Sequence, residues 1–311
     1  MELEVRIPIS PAPYFFNRVY LIARSLRMMG VPFKEVRIRV SVGADQEPEN
    51  LGKRLPWSEN LGVEWCWVKR EDFRQWKDSS SPHLATIMHR FRPPFDASHI
   101  LFLDSDVLPV SRFDELIDLS QLRPGMCGVM AHVSPFCHHR ESWQELFRRF
   151  GIAPPRFVFE HSGWGIMDLA VTKRFGPAYF NSGVLLAPAA VLSALYEIYL
   201  NAIESVSSAM DVYFVDQIAL TLALYRLSAP IHILPLFYNW PNDPLFDRAR
   251  PEALKAVRFI HFLRTEQVQR DAHFQSRESI AEFISRQDLS GSNELLRARV
   301  ARVFDERDLQ L

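Results

Sequence analysis

Two carboxylates, Asp104 and Asp106, stand two residues apart inside the run HILFLDSDVLPV (99–110). Apolar residues flank them on both sides, as in a buried strand, so two charges there demand a reason. Successive strand residues point to opposite faces, and residues two apart share a side. Carboxylates brought that close repel one another unless a cation intervenes. Hard oxygen ligands suit Mg²⁺ or Mn²⁺, ions that commonly bridge to substrate phosphates. The plainer reading is a polar strand end that solvates a turn. Three further groups follow downstream, each with a chemical and a structural reading. Asn181-Ser182-Gly183 offers neutral hydrogen-bonding side chains, or forms a strand bulge. Asp216-Gln217 sets a carboxylate beside a neutral amide, or Asp216 is an acid suited to a helix's opening turns. His261, between Ile260 and Phe262, is a metal ligand or a satisfied core histidine.

The elements that must position these groups alternate along the chain. LEVRIPIS (3–10) reads as a first strand, and FFNRVYLIARSLRMMG as a helix closed by Gly30. EVRIRVSVGA and GVEWCWVKR are second and third strands. HLATIMHRFR is a helix stopped by Pro93-Pro94 just before the Asp pair. Residues 112–176 are rich in Pro, Trp, Phe and His and weakly periodic, which predicts short elements and long loops. YFNSGVLLAP (179–188) is a buried strand, and AAVLSALYEIYLNAI and MDVYFVDQIALTLALYRL are helices. IHILPLFYNW and AVRFIHFL add two short strands, and a charged helical tail carries Ser290-Gly291-Ser292 as a hinge. Strands alternating with helices predict a mainly parallel sheet covered on both faces, with ligands outside the carboxyl ends of the strands.

Composition narrows the functional classes. Lys plus Arg (36) nearly balances Asp plus Glu (37), which gives no general reason to expect nucleic-acid binding. Hydrophobic residues make up 48% of 311 positions, ample for a large core. Three widely spaced cysteines, Cys66, Cys127 and Cys137, argue against a disulfide framework and for a reducing compartment. Cys137-His138-His139 lacks a second ligand pair at zinc spacing and reads as a loop. The first residues show no basic segment followed by an apolar one, and no window approaches the length that spans a bilayer. The expectation is a soluble, cytoplasmic protein without a transmembrane segment.

LFLDSDVLPV resembles the metal-binding Asp-x-Asp of GT-A fold glycosyltransferases, especially the retaining family 8 that includes glycogenin and bacterial lipopolysaccharide galactosyltransferases. YFNSGVLL is similar to that family's donor-sugar strand, VDQIAL to its Asp-Gln pair, LPLFYNW to its Leu-Pro…Tyr-Asn segment, and RFIHFL to its terminal Ile-His-Phe. The resemblance implies an α/β, nucleotide-diphospho-sugar transferase fold with a mainly parallel mixed sheet flanked by helices. It covers residues 1–265 as the catalytic domain and leaves 266–311 as a helical C-terminal extension. Implied metal ligands are Asp104, Asp106 and His261, with Mn²⁺ or Mg²⁺. Asp216 and Gln217 would lie by the anomeric carbon. Ser10, Tyr14, Arg90, Ser105, Asn181, Ser182 and Arg264 would bind the nucleotide-sugar donor. Trp164, Tyr238 and Trp240 are candidate platforms for a glycan, lipid-linked or protein acceptor.

The chain also departs from the family. Where the family follows its His with Gly and then Lys-Pro-Trp, the Gly and Lys positions hold Arg264 and Gln267. The loop after the first strand, Ser10-Pro11-Ala12-Pro13-Tyr14, lacks the Asp that reads uracil. Arg90 and Arg92 are both available in the helix before Asp-x-Asp, where the family keeps a phosphate-reaching Arg. The expected reaction is metal-assisted sugar transfer by front-face displacement, with retention. The alternatives are a haloacid-dehalogenase-like phosphatase, or a non-catalytic protein that binds nucleotide sugars or glycans.

Overall fold

Leu3–Ile9 (β1) is buried along its whole length because both of its faces are covered. Leu3, Val5, Ile7 and Ile9 enter one apolar cluster. The intervening Glu4 and Arg6 point the other way and pair with each other, Arg6 Nε to Glu4 Oε1 at 2.5 Å. Arg6 also donates to the carbonyls of Arg90 (3.1 Å), Arg92 (2.5 Å) and Pro94 (2.7 Å). A buried charge in mid-strand thus fastens the end of the helix that carries Arg90. Pro8 is tolerated in this interior strand because the neighbour on one side pairs only with Leu3 to Arg6.

The structure, a computed structural model, describes residues 2–44, 46, 54–69, 82–131, 140–160, 175–210, 214–263 and 267–305. After β1 come α1 (Pro13–Arg27), β2 (Arg37–Val42), α2 (Pro56–Asn60), β3 (Val63–Trp67) and α3 (Pro82–Arg90). Next are β4 (His99–Leu103), β5 (Val107–Pro109), α4 (Asp114–Leu122), β6 (Met126–Met130) and α5 (Arg140–Arg149). Two short strands, β7 (Phe159–Glu160) and β8 (Phe175–Gly176), precede β9 (Phe180–Pro188), α6 (Ala189–Ala209) and α7 (Val215–Leu227). Then follow β10 (Ile231–Ile233), β11 (Trp240–Pro241), α8 (Pro244–Ala249) and β12 (Phe259–His261). Three helices close the described chain: α9 (Arg270–His273), α10 (Arg277–Ser285) and α11 (Gly291–Val303).

Seven strands form the main sheet in the order β10-β6-β9-β4-β1-β2-β3, and β11-β12-β5 form a second, small sheet. Within the main sheet the pairings are parallel except that β9 runs antiparallel to both β4 and β6. This is the mainly parallel mixed α/β sheet that the alternation of elements predicts. One face carries α1 and the C-terminal helices, and the other carries the paired helices α6 and α7.

Two local expectations change. Residues 112–176 read as loops and short pieces, yet Met-Cys-Gly-Val-Met forms β6, an interior strand of the main sheet. A strand buried on both faces is a continuous apolar run without alternation, so periodicity alone does not reveal it. Gly128 lets β9 close on it, since a Cβ there would meet Leu185 Cδ2 at 2.7 Å and Phe180 Cδ1 at 2.8 Å. Ser290-Gly291-Ser292 is not a hinge either. The backbone N–H and the hydroxyl of Ser292 both donate to Asp247 Oδ2 at 2.8 Å, which nails the start of α11 to α8. Val268, Phe274, Ile280, Phe283, Leu296 and Val300 share the core of β1 and α1.

Candidate active site

The Asp pair sits where the chain leaves one sheet for the other. The N–H of Asp104 donates to the carbonyl of Gly183 on β9 (3.0 Å), extending the β4–β9 ladder by one residue. The N–H of Val107 then donates to the carbonyl of Asp104 (3.1 Å), so Asp104 to Val107 is a tight turn into β5. A turn, not strand alternation, therefore brings the two carboxylates to one side. On the far side β5 pairs antiparallel with β12, placing His261 opposite Val107. The N–H of Phe262 donates to the carbonyl of Asp106 (2.9 Å), which locks the histidine's strand to the turn.

Ligand atoms of Asp104, Asp106 and His261 consequently lie within 4.8 Å of one another. His261 Nε2 stands 3.4 Å from Asp106 Oδ1. Its Nδ1 lies 3.1 Å from Asn239 Oδ1, an acceptor that requires the proton on Nδ1 and leaves the Nε2 lone pair facing the carboxylates. Burial pushes the His261 pKa below the ordinary imidazole value, against the pull of Asp104, so the ring is neutral as a ligand must be. Two hard carboxylates and a neutral, oriented imidazole form a donor set that fits a divalent cation.

The orientation of His261 is itself built. Asn239 follows a 3-10 turn, Leu236–Tyr238, and its Nδ2 donates to Asn181 Oδ1 (2.8 Å). The same Asn181 oxygen accepts the backbone N–H of Gly183 (2.9 Å). A relay of side chains thus runs from β9 through Asn181 and Asn239 to the imidazole. Gly183 lies against this relay: a Cβ there would meet Asn181 Oδ1 at 2.8 Å and His261 Cε1 at 2.9 Å. Gly183→Ala is therefore expected to displace the imidazole and weaken Mn²⁺ binding by about 10- to 100-fold. Titration calorimetry checks this, with a circular-dichroism spectrum unchanged from wild type.

Arg90, fully buried at the end of α3, donates Nη1 to Asp104 Oδ1 (2.7 Å) and Nη2 to the carbonyl of Ser182 (3.4 Å). Asp216, in the first turn of α7, is 7% exposed. Burial raises its pKa to about 6; Arg90 pulls it down and Asp104 pushes it up, which puts all three groups in one electrostatic neighbourhood. Gln217 is half-buried beside it.

Other residues singled out from sequence fall in different places. Ser105 and Ser182 are buried at the turn and on β9. Ser10 is half-buried at the end of β1, and Tyr14 is half-buried in the first turn of α1 with the Arg18 guanidinium 4.7 Å from its ring centre. Tyr238 and Trp240 lie in the core, Trp240 fully buried with its indole N–H donating to Asp247 Oδ1 (2.9 Å). That burial leaves Trp240 no face for a sugar, because Asp247 supplies the polar partner an indole needs in a core. Trp164, Arg264 and the Cys137-His138-His139 cluster lie outside the described residues. Sequence reasoning gave no role to Asn239 or to Arg270, whose Nη1 donates to Asp106 Oδ2. Asn239 at least stands in the quoted LPLFYNW run, whereas Arg270 is hidden among the mixed charges of the tail.

The family model of the Rhodobacterales glycosyltransferase domain matches residues 15–228. That span includes Arg90, the Asp pair, Asn181 and Asp216-Gln217, and it ends before Asn239 and His261. No curated protein matches the sequence. The galactosyltransferase LgtC, solved in complex with donor and acceptor sugar analogs, is similar over 97% of this chain and 96% of its own, with a TM-score of 0.56 and 15% identity. An active-site glutamine-to-glutamate mutant of LgtC matches over 96% and 95%, again at 0.56, with 16% identity. The apo form of mouse xyloside xylosyltransferase 1 matches over 84% of this chain and 98% of its own, at 0.52 and 13% identity. At these identities the likeness is one of fold, and the fold is the GT-A type expected from the motifs.

Proposed function

Since the chain belongs to the Rhodobacterales glycosyltransferase domain family and is thereby a glycosyltransferase, we propose that it moves a sugar from a nucleotide-sugar donor to a saccharide acceptor, with retention, at a divalent-metal site of the family 8 kind. The observation that carries this reading is the meeting of Asp104, Asp106 and a tautomer-defined His261 at the junction of the two sheets. Mn²⁺ or Mg²⁺, held by these three residues, would supply Lewis-acid stabilisation of the departing diphosphate. The likeness to LgtC, solved with donor and acceptor sugar analogs, supports both the donor class and a saccharide acceptor.

The chain's own groups divide the rest of the work. Arg90 keeps Asp104 oriented and would add a fixed positive charge to the side of the site that holds the diphosphate. Ser182 and the side-chain NH2 of Asn181, whose Oδ1 already accepts from Gly183 and Asn239, are assigned to the donor sugar on the resemblance of the sequence. Asp216 as a carboxylate, with Gln217 beside it, stabilises positive charge that develops at the anomeric carbon during front-face displacement. Tyr14 is assigned to the nucleotide base, and Ser10 and Ser105 to the donor, on the resemblance of the sequence. Arg264 and Trp164 are assigned to the diphosphate and the acceptor on sequence alone. In this reading residues 1–265 form the catalytic domain and 266–311 a helical extension, in a cytoplasmic setting suggested by the odd cysteine count.

A panel of UDP-, GDP- and ADP-sugars, each with and without Mn²⁺, tests the proposal through release of nucleoside diphosphate. Release from at least one donor, suppressed by a chelator, is the expected result. Phosphate release from phosphomonoesters, abolished by Asp104→Asn, would point to the phosphatase reading instead.

A further inference from the structure

Each carboxylate of the Asp pair already faces a guanidinium, but the two arginines are held very differently. Arg90 is fully buried and has a second fixed partner in the Ser182 carbonyl. Arg270 leaves 27% of its side chain exposed, and its Nε makes no hydrogen bond. Its backbone, in contrast, is anchored. Buried Arg18 of α1 donates Nη2 to the Arg270 carbonyl and to Asp271 Oδ1, each at 2.8 Å. Just before α9, Arg286 donates to the Gln267 carbonyl and Asn293 donates to Gln267 Oε1 (2.6 Å). A pinned backbone therefore carries a long, partly exposed side chain whose charged head rests on Asp106 Oδ2, beside the Oδ1 that faces His261.

We propose that Arg270 is a donor-diphosphate-binding residue that occupies Asp106 until a divalent ion arrives and then passes to the diphosphate oxygens. The inference rests on the donor class proposed above. Arg270 holds Asp106 Oδ2 while Oδ1 faces His261 Nε2, so an ion taken up at Oδ1 draws on the carboxylate charge that holds the guanidinium and releases the arginine head. The displaced head stays beside the ion because α9 is fastened to α1, and the anionic oxygens that accompany the ion are the acceptors it then meets. A guanidinium offers a planar fork matched to such oxygens. Gln267 carries no charge and is directed to Asn293, so the described segment after β12 delivers its cation three residues later, from α9.

Titration calorimetry on the full chain tests this with wild type, Arg270→Ala and Arg270→Lys. Each protein is titrated first with Mn²⁺ alone and then, saturated with Mn²⁺, with UDP, GDP and ADP in turn. Removing a competing cation makes Arg270→Ala bind Mn²⁺ alone about threefold more tightly. The same variant binds the nucleoside diphosphate about 10- to 100-fold more weakly, and Arg270→Lys falls between. Opposite shifts in the two affinities are the signature, since a structural lesion lowers both. If wild type binds Mn²⁺ and a nucleotide and Arg270→Ala matches it in both, or binds Mn²⁺ more weakly, this proposal alone is overturned. If wild type binds neither, the functional reading fails and takes the proposal with it.

Discussion

Asp106→Ala is expected to abolish Mn²⁺ binding and to lower metal-dependent turnover by at least about 10³-fold, with little change in melting temperature. Asp106 is the ligand that links the turn to β12: its carbonyl holds Phe262, and its carboxylate faces His261 Nε2. The backbone contact survives truncation, so the geometry of β5 and β12 is kept. What disappears is one of two neighbouring negative charges and an ion pair to the partly exposed Arg270. Relief of repulsion with Asp104 offsets the lost pair, and the net stability change stays within about 1 kcal/mol. Calorimetric titration with Mn²⁺, nucleotide release and a thermal melt on one preparation read all three quantities. A variant that still turns over fully with metal would show that the ion sits elsewhere.

The parts of this site that the sequence disclosed are those whose meaning is local. A strand of apolar residues that stops at Asp104 announces a sheet edge, and Asn181-Ser182-Gly183 announces another. Gly183 also shows why such short motifs are informative, since its lack of a Cβ serves a histidine 78 positions later in the chain. Pairings set by the fold were harder to see. Trp240 reads as an exposed aromatic until Asp247, seven residues on, is found waiting for its indole N–H. Arg6 is a charged residue inside the first strand, and nothing near it in sequence shows that it is buried and caps the helix bearing Arg90. Arg270 reads as one charge among many in a mixed helical tail, because nothing in its neighbours' identities says that α1 holds α9 over the Asp pair. β6 was missed because full burial erases the alternation by which strands are recognised.

Those tertiary pairings also show how the fold sustains charge inside a core. Arg6 with Glu4, Arg90 with Asp104 and Arg18 with Asp271 each bring a buried guanidinium to a carboxylate, and each also reaches a backbone carbonyl. Burial lowers the Arg18 pKa to about 10, which still leaves it charged at neutral pH. Hydrogen bonds to carbonyls spread that charge over structural elements, so the arginines act as rivets between α1, α3, β9 and α9. A site built on rivets is preorganised, as electrostatic catalysis requires.

Asp216 is a site carboxylate whose own environment works against its charge, and Asp216→Asn is expected to stabilise the metal-free fold at neutral pH while cutting turnover by about 10²-fold or more. Desolvation outweighs the attraction of Arg90 and raises its folded pKa to about 6, from an ordinary value of 3.8. Between those two values the folded state holds a proton that the unfolded chain has released. Stability therefore falls as pH rises from about 4 to about 6 and levels off above. Asn cannot ionise, so the variant escapes that loss, which is at most about 3 kcal/mol at pH 7. Chemical denaturation of chelator-treated protein at pH 4.5 and 7 measures it: the gap between variant and wild type should open with pH. Turnover should behave in the opposite sense, rising with pH in wild type as the carboxylate forms and staying low and flat in the variant. A carboxylate kept in a place that penalises its charge has its justification in the reaction, because only developing positive charge at the anomeric carbon returns what burial costs. Were Asp216→Asn both more stable and fully active, the charge would serve neither fold nor chemistry, and the role assigned to α7 would have to move to Gln217 alone.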